Sequence, residues 1–263
     1  MEILGYLFSV LIGISIGLIG AGGSILAVPI LVYLFSVNPQ LATTYSLFIV
    51  GATAFFGAIR HYQMGNLKFR LALSFALPSV ASLLIVRGYI LPIIPDQILS
   101  FGNFILTKSM LLMLVFAVLM ILASLSMIKS SVEKSIDGSK QSLAKLMLIG
   151  FGVGMVTGFL GAGGGFLIIP ALVLFSALPM KQAIGTSLLI IFLNSFIGFA
   201  GDIINEVQLD YALLISVTLI AIAGMLIGVQ LSKKISGAKL KPGFGWFVLI
   251  MGLYIIAKEL LLK

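Results

Sequence analysis

An all-α polytopic membrane protein is the fold class this sequence predicts. It divides into two inverted-topology repeats, each a glycine-broken helical hairpin followed by three transmembrane helices. Three observations carry that expectation: an extremely apolar composition, long charge-free runs of membrane-spanning length, and an internal duplication at a constant offset.

Hydrophobic residues make up 60% of the 263-residue chain and charged residues 9%, with a mean hydropathy of +1.24. A soluble domain averages about 25% charged residues, so a globule of this composition could not cover its own surface with polar groups; lipid is its natural solvent. The net charge is +8. The basic residues fall in short loops between apolar runs, which is the positive-inside pattern rather than a nucleic-acid footprint. The chain has no cysteine and one histidine, His61, which excludes thiol chemistry and argues against a metal site. No metal or cofactor is expected. Met1-Glu2 leads straight into apolar sequence without a basic n-region, so the first run reads as mature membrane sequence.

Charge-free runs occupy about 3–36, 41–59, 71–86, 109–128, 146–180, 182–201, 211–232 and 243–257. One span needs roughly 20 residues. The runs 3–36 and 146–180 are too long, since each would make a helix of about 50 Å at 1.5 Å per residue. Both contain a glycine cluster, Gly20-Ala21-Gly22-Gly23 and Gly161-Ala162-Gly163-Gly164-Gly165. Glycine weakens helix and permits a sharp reversal, so each long run should break and turn back as a hairpin. The piece 88–108, with Pro92 and Pro95, reads as an outer loop with a short surface helix.

Loop charges support the hairpins. With 129–145 cytoplasmic and both long runs turning back, Arg60, Lys68, Arg70, Lys129, Lys134, Lys140, Lys145, Lys181, Lys233, Lys234, Lys239 and Lys241 lie inside. Only Arg87, Lys108, Lys258 and Lys263 lie outside, together with the acidic loop 202–210. Both termini are then extracytoplasmic, in a multi-pass protein of the cell inner (plasma) membrane.

The duplication has an offset of 141. Gly13, Gly17, Gly20, Gly22, Gly23, Leu26, Pro29 and Leu31 meet Gly154, Gly158, Gly161, Gly163, Gly164, Leu167, Pro170 and Leu172, and the match runs on to Ser46/Ser187 and Gly57/Gly198. The expected division is 1–128 for the first transmembrane repeat, 129–142 for a cytoplasmic linker and 143–263 for the second repeat. Five helical segments per half invert the second half, as in many secondary transporters.

A helix restarting inside the membrane presents unpaired N–H groups and a positive dipole end. Gly20, Gly22, Gly23 and Ser24, with Gly161, Gly163, Gly164 and Gly165, are therefore candidate anion ligands near the midplane; close helix packing is the ordinary alternative. Thr43, Thr44 and Ser46, and their counterparts Thr186 and Ser187 after Gly185, could add hydroxyl donors, or could simply bond nearby carbonyls. Asn194, matched to Thr53, is a weaker candidate. The interiors of the spans hold no ionisable side chain, which favours passage of an anion down its own gradient over proton coupling. Arg60 and His61, at a span end, read as topology anchors. The expected partners are a small anionic substrate and the lipid bilayer, with no nucleic acid; a homo-oligomer is compatible with the sequence.

The segments Gly20-Ala-Gly-Gly-Ser-Ile-Leu-Ala-Val-Pro29 and Gly161-Ala-Gly-Gly-Gly-Phe-Leu-Ile-Ile-Pro170 resemble the paired motif of the TauE/SafE sulfite exporter family, and Gly185-Thr186-Ser187-Leu188 is similar to its second-half signature. The first half departs there, with Thr44-Tyr45-Ser46-Leu47. The resemblance covers nearly the whole chain. It implies a bacterial or archaeal inner-membrane transporter of small sulfur-containing anions such as sulfite, thiosulfate or organosulfonates. An anion channel on the same scaffold is the nearest alternative. A membrane-embedded enzyme finds no nucleophile, metal cluster or acid pair to support it.

Overall fold

The computed structural model describes residues 2–20, 22–101, 104–129, 143–160, 165–176, 178–204, 209–234 and 237–261. They are almost entirely helical. The first hairpin is α1 (Glu2–Ile19) and α2 (Gly22–Tyr33), followed by α3 (Pro39–Gln63) and α4 (Phe69–Ile85). A π-helical turn, Val86–Ile90, and a short α5 (Leu91–Ile93) prolong α4, and α6 (Lys108–Lys129) closes the first half. The second half contains α7 (Leu143–Leu160), α8 (Gly165–Ser176), α9 (Met180–Ile204), α10 (Tyr211–Lys234) and α11 (Gly237–Leu261). Four spans among the described residues are long and apolar enough to cross a membrane: α3, α4 with its extension, α9 and α10. Of these, α3 and α9 are the most buried and form the centre.

The first expected break is present. Gly20 adopts φ +83°, a conformation that costs glycine least, and its N–H bonds the carbonyl of Ile16 at 2.7 Å. That left-handed residue stops α1, and α2 starts two residues later. Residues 161–164, where the second break is expected, lie outside the described residues, but α7 ends at Leu160 and α8 begins at Gly165. The arms match: 18 residues in α1 and α7, 12 in α2 and α8. At 1.5 Å per residue these arms are about 27 and 18 Å long, so only the first of each approaches the hydrocarbon thickness of about 30 Å. α3 and α9 are both 25 residues long, and their bounds differ by 141 at either end. Asn38 starts α3 by accepting a 2.9 Å bond from Gln40 N on its side chain, ahead of Pro39.

Packing crosses between the halves. α1 lies against α10, α4 against α7, α3 against α9, and α6 against α11. Small residues make the first two contacts close. A Cβ on Gly13 or Gly17 would run into the α10 backbone at Ala221 or Met225, and one on Gly154 into the α4 backbone at Ser79. Such small-residue rows are how helices associate where lipid offers no hydrophobic drive. Ser82 ties α4 to α7, donating to the carbonyl of Phe151 at 2.7 Å. α3 and α9 run antiparallel: Thr44 meets Asp202, and a Cβ on Gly51, Gly57 or Gly185 would meet Phe196, Leu188 or His61.

The segment 88–108 differs from the expected outer loop. Its first part continues the α4 helix through the π turn, and Gln97–Phe101 (β1) then pairs antiparallel with Phe104–Thr107 (β2). The charge-free spans are also corrected. The helices outlast the apolar runs, so Arg87, Asp202 and His61 lie inside helices; Asp202 and His61 are buried and Arg87 is half-buried with its side chain turned inward. Beyond Lys129, the residues of the expected linker 129–142 lie outside those described.

Candidate functional site

A polar site with a buried ion pair forms at one end of the α3–α9 pair. It begins with an unmet need of a helix terminus. α7 ends at Leu160, so its last carbonyls have no partner within the helix. The π turn swings Arg87 toward them, and its Nη1 donates to the carbonyl of Gly158 at 3.3 Å. A cation there also suits the negative end of the helix dipole.

The rest of the guanidinium faces Asp202, in the last turn of α9. Nε donates to Asp202 Oδ1 at 2.7 Å, and Nη2 pairs closely with Oδ2. This is the bidentate geometry that makes arginine–carboxylate pairs strong. α3 completes the cluster near its N-terminus. Thr44 Oγ1 donates to Asp202 Oδ2 at 2.6 Å and accepts from Arg87 Nη2 at 3.2 Å, while Thr43 Oγ1 lies 3.5 Å from the same nitrogen. The Arg87 and Asp202 side chains are only 8% and 10% exposed.

This cluster forms the floor of a cavity of about 400 Å³. Asn38, Gln40, Leu91 and Lys108 contribute to its walls. Lys108 Nζ is fixed by a 2.6 Å bond to the carbonyl of Leu91. The charged groups of the lining, Arg87, Lys108 and Asp202, sum to a net positive charge, and Thr43 and Thr44 add hydroxyls. Such a cavity suits a small anion.

The opposite end of the α3–α9 pair holds Gly20, Thr186 and Ser187. A Cβ on Gly20 would lie 2.7 Å from the side chain of Ile184. Thr186 Oγ1 accepts from Lys68 N at 3.1 Å, and Ser187 Oγ donates to the carbonyl of Ile184 at 2.8 Å. A Cβ on Gly185 would come within 2.5 Å of the carbonyl oxygen of Asn66. His61 is 3% exposed, and neither of its ring nitrogens finds a hydrogen-bond partner among the described residues. It is a packed histidine, not a surface anchor; Arg60 beside it is exposed.

Thr44 and Thr186 thus sit at opposite ends of one helix pair, roughly 24 Å apart at 1.5 Å per residue. The two hydroxyl clusters do not face a common midplane point. Of the other candidates, Gly22 opens α2, and Gly23 lets α2 touch α1 at the carbonyl of Ile12. Ser24 and Gly165 are buried at the starts of α2 and α8. Ser46 donates to the carbonyl of Thr43 at 2.9 Å. Asn194 lies at mid-span and bonds Ser79 Oγ on α4 at 2.7 Å, while its Oδ1 has no partner among the described residues. Gly161, Gly163 and Gly164 lie outside the described residues.

Neither Arg87 nor Asp202 is among the ligands the sequence singles out. Each stands one residue beyond a charge-free run, 71–86 and 182–201. That shared position, with opposite charges on the same expected side, is the signal that could have joined them.

Comparison with known proteins gives a consistent picture. The family model described as sulfite exporter TauE/SafE matches residues 6–255. A probable membrane transporter protein of Xylella fastidiosa (strain 9a5c) is 31% identical over 253 residues, covering 94% of this chain and 91% of its own length. The probable membrane transporter protein YdhB of Bacillus subtilis (strain 168) is 26% identical, covering 94% and 96%. MJ0441 of Methanocaldococcus jannaschii, also a probable membrane transporter protein, is 25% identical, covering 94% and 92%. No solved structure matches the chain.

Proposed function

The chain belongs to the sulfite exporter TauE/SafE family, a group of multi-pass membrane transporters rather than enzymes, and on that premise we propose that it carries small sulfur oxyanions or organosulfonates as a secondary transporter. The observation that carries the reading is the 400 Å³ cavity floored by the Arg87 side chain and two threonine hydroxyls. A tetrahedral oxyanion can take a planar fork of N–H donors and hydroxyls together. Lys108 at the cavity wall favours entry of negative charge.

The glycine-rich breaks serve the same substrate at two levels. The expected second break, 161–164, comes next in sequence after the α7 end that Arg87 caps. The first, with Gly20, Gly22, Gly23 and Ser24, adjoins the Thr186–Ser187 end. Matched helix lengths and crosswise pairing support two inverted repeats, 1–128 and 143–263, joined by a cytoplasmic linker at 129–142. In that topology, in a cell inner membrane, both termini and the Arg87 cavity are extracytoplasmic.

The test is flux in liposomes. Purified, reconstituted protein is offered sulfite, thiosulfate, sulfate, methanesulfonate and chloride. Saturable uptake and counterflow of a sulfur oxyanion, with chloride excluded, is the expected result. Unsaturable chloride flux would indicate a channel, and no flux from folded protein would overturn the reading.

A further inference from the structure

Asp202 has a role beyond holding Arg87 in place. The guanidinium already uses Nε and Nη2 on Asp202, Nη2 on Thr44, and Nη1 on the Gly158 carbonyl. One Nη1 N–H remains, so an anion can touch the guanidinium singly there, but one that takes its two-donor Nε/Nη2 fork must take over the bonds that now go to Asp202. Once displaced, Asp202 would be a buried carboxylate left with little but the hydroxyl of Thr44, and an uncompensated charge at such a place is costly. A proton from cavity water removes that cost.

We infer that Asp202 is a proton-carrying counter-ion: substrate displaces it from Arg87, it takes up one proton, and anion and proton cross together. The inference rests on the cavity being the substrate site. Charge balances. The resting ion pair is neutral; after exchange, Arg87 pairs with the monoanion and Asp202 is a neutral acid. One turnover moves one proton and one monoanion in the same direction. The groups facing Asp202 leave it the natural proton acceptor. Among the described residues, α3 offers the hydroxyls Thr43 and Thr44, α7 the Gly158 carbonyl, and the π turn Arg87, which stays charged. Lys108 at the start of α6 is engaged with the Leu91 carbonyl. Asp210, near the same end, is occupied in capping α10, accepting from Ala212 N at 3.0 Å and Leu213 N at 3.1 Å. Ionisable groups buried in membrane spans commonly mark such relays.

The experiment uses proteoliposomes loaded with a pH-sensitive dye and supplied with labelled methanesulfonate, a fully ionised monoanion near neutral pH, so that any proton moved is moved by the protein. The expected result is lumenal acidification during uptake. For methanesulfonate, an inside-alkaline gradient should drive accumulation of about tenfold per pH unit. Asp202→Asn should lose both effects, and Asp202→Glu should restore proton movement. Anion uptake and counterflow by the wild type with no proton movement would overturn the inference while leaving the transport reading intact. Absence of any anion flux would instead sink the transport reading itself. Wild-type proton movement decides the coupling even if Asp202→Asn does not fold, and accumulation by a folded Asp202→Asn equal to wild type would remove Asp202 from the role.

Discussion

At one end of the α3–α9 pair, Asp202 meets Arg87 beneath a cavity; at the other, His61, the residue 141 positions earlier, is sealed against Gly185. The two ends derive from equivalent stretches of a repeated sequence, yet at one the matched position is an aspartate paired beside a cavity and at the other a histidine packed against Gly185. The duplication has retained what the backbone needs: the lengths of α1–α3 in α7–α9, and small residues at helix crossings. It has not retained the chemistry. Thr44 can reach Asp202 because α3 has room there, whereas Gly185, its counterpart, lies under the α3–α4 connection and admits no side chain. Helix lengths are thus shared between the halves, while the buried ion pair belongs to one end.

The largest expected effect comes from Arg87→Ala, which strands a buried carboxylate. It should destabilise the protein by about 3–5 kcal/mol and abolish flux. The double variant Arg87→Ala/Asp202→Ala should regain much of the stability and none of the transport. Thermal unfolding in detergent measures this, and equal losses in the single and double variants would remove the ion pair from the comparison. Next come Gly13→Val and Gly154→Val, which force α1 from α10 and α7 from α4. Each should cost about 1–3 kcal/mol; a large loss from one and none from the other would show that the halves do not share their packing. The smallest effect should come from His61→Leu. With no hydrogen bond to lose among the described residues, it should shift stability by less than about 1.5 kcal/mol and leave uptake unchanged. A large loss of uptake would make the His61 end as functional as the Arg87 end.

Much of the backbone was legible in the sequence because membrane burial writes itself into hydropathy. The overlong runs marked where α1 and α7 end, and the 141-residue offset located the partners of α1, α2 and α3 to within two residues. The β1–β2 hairpin was also within reach, since Gly102-Asn103 stands between two apolar β-rich stretches; the prolines of 88–108 masked it. The Arg87–Asp202 pair was not legible. Its members are 115 residues apart, and whether a charge beside an apolar run faces water or another helix depends on how far the helix continues. The π turn that aims Arg87 has no sequence signature. The absence of charge from the runs is therefore no argument about proton coupling in either direction, because the helices are longer than the runs.

The contact of Gly13 and Gly17 with α10 has a consequence for how the molecule is made. Ala221 is synthesised roughly 200 residues after Gly13, about 10–40 s later at ordinary elongation rates. During that interval α1 sits in the bilayer with its narrow glycine face unpaired, and α4 likewise waits for α7. The nascent first half is thus an assembly intermediate whose partners have yet to emerge from the ribosome, and two separately expressed halves should find each other through these same glycine faces.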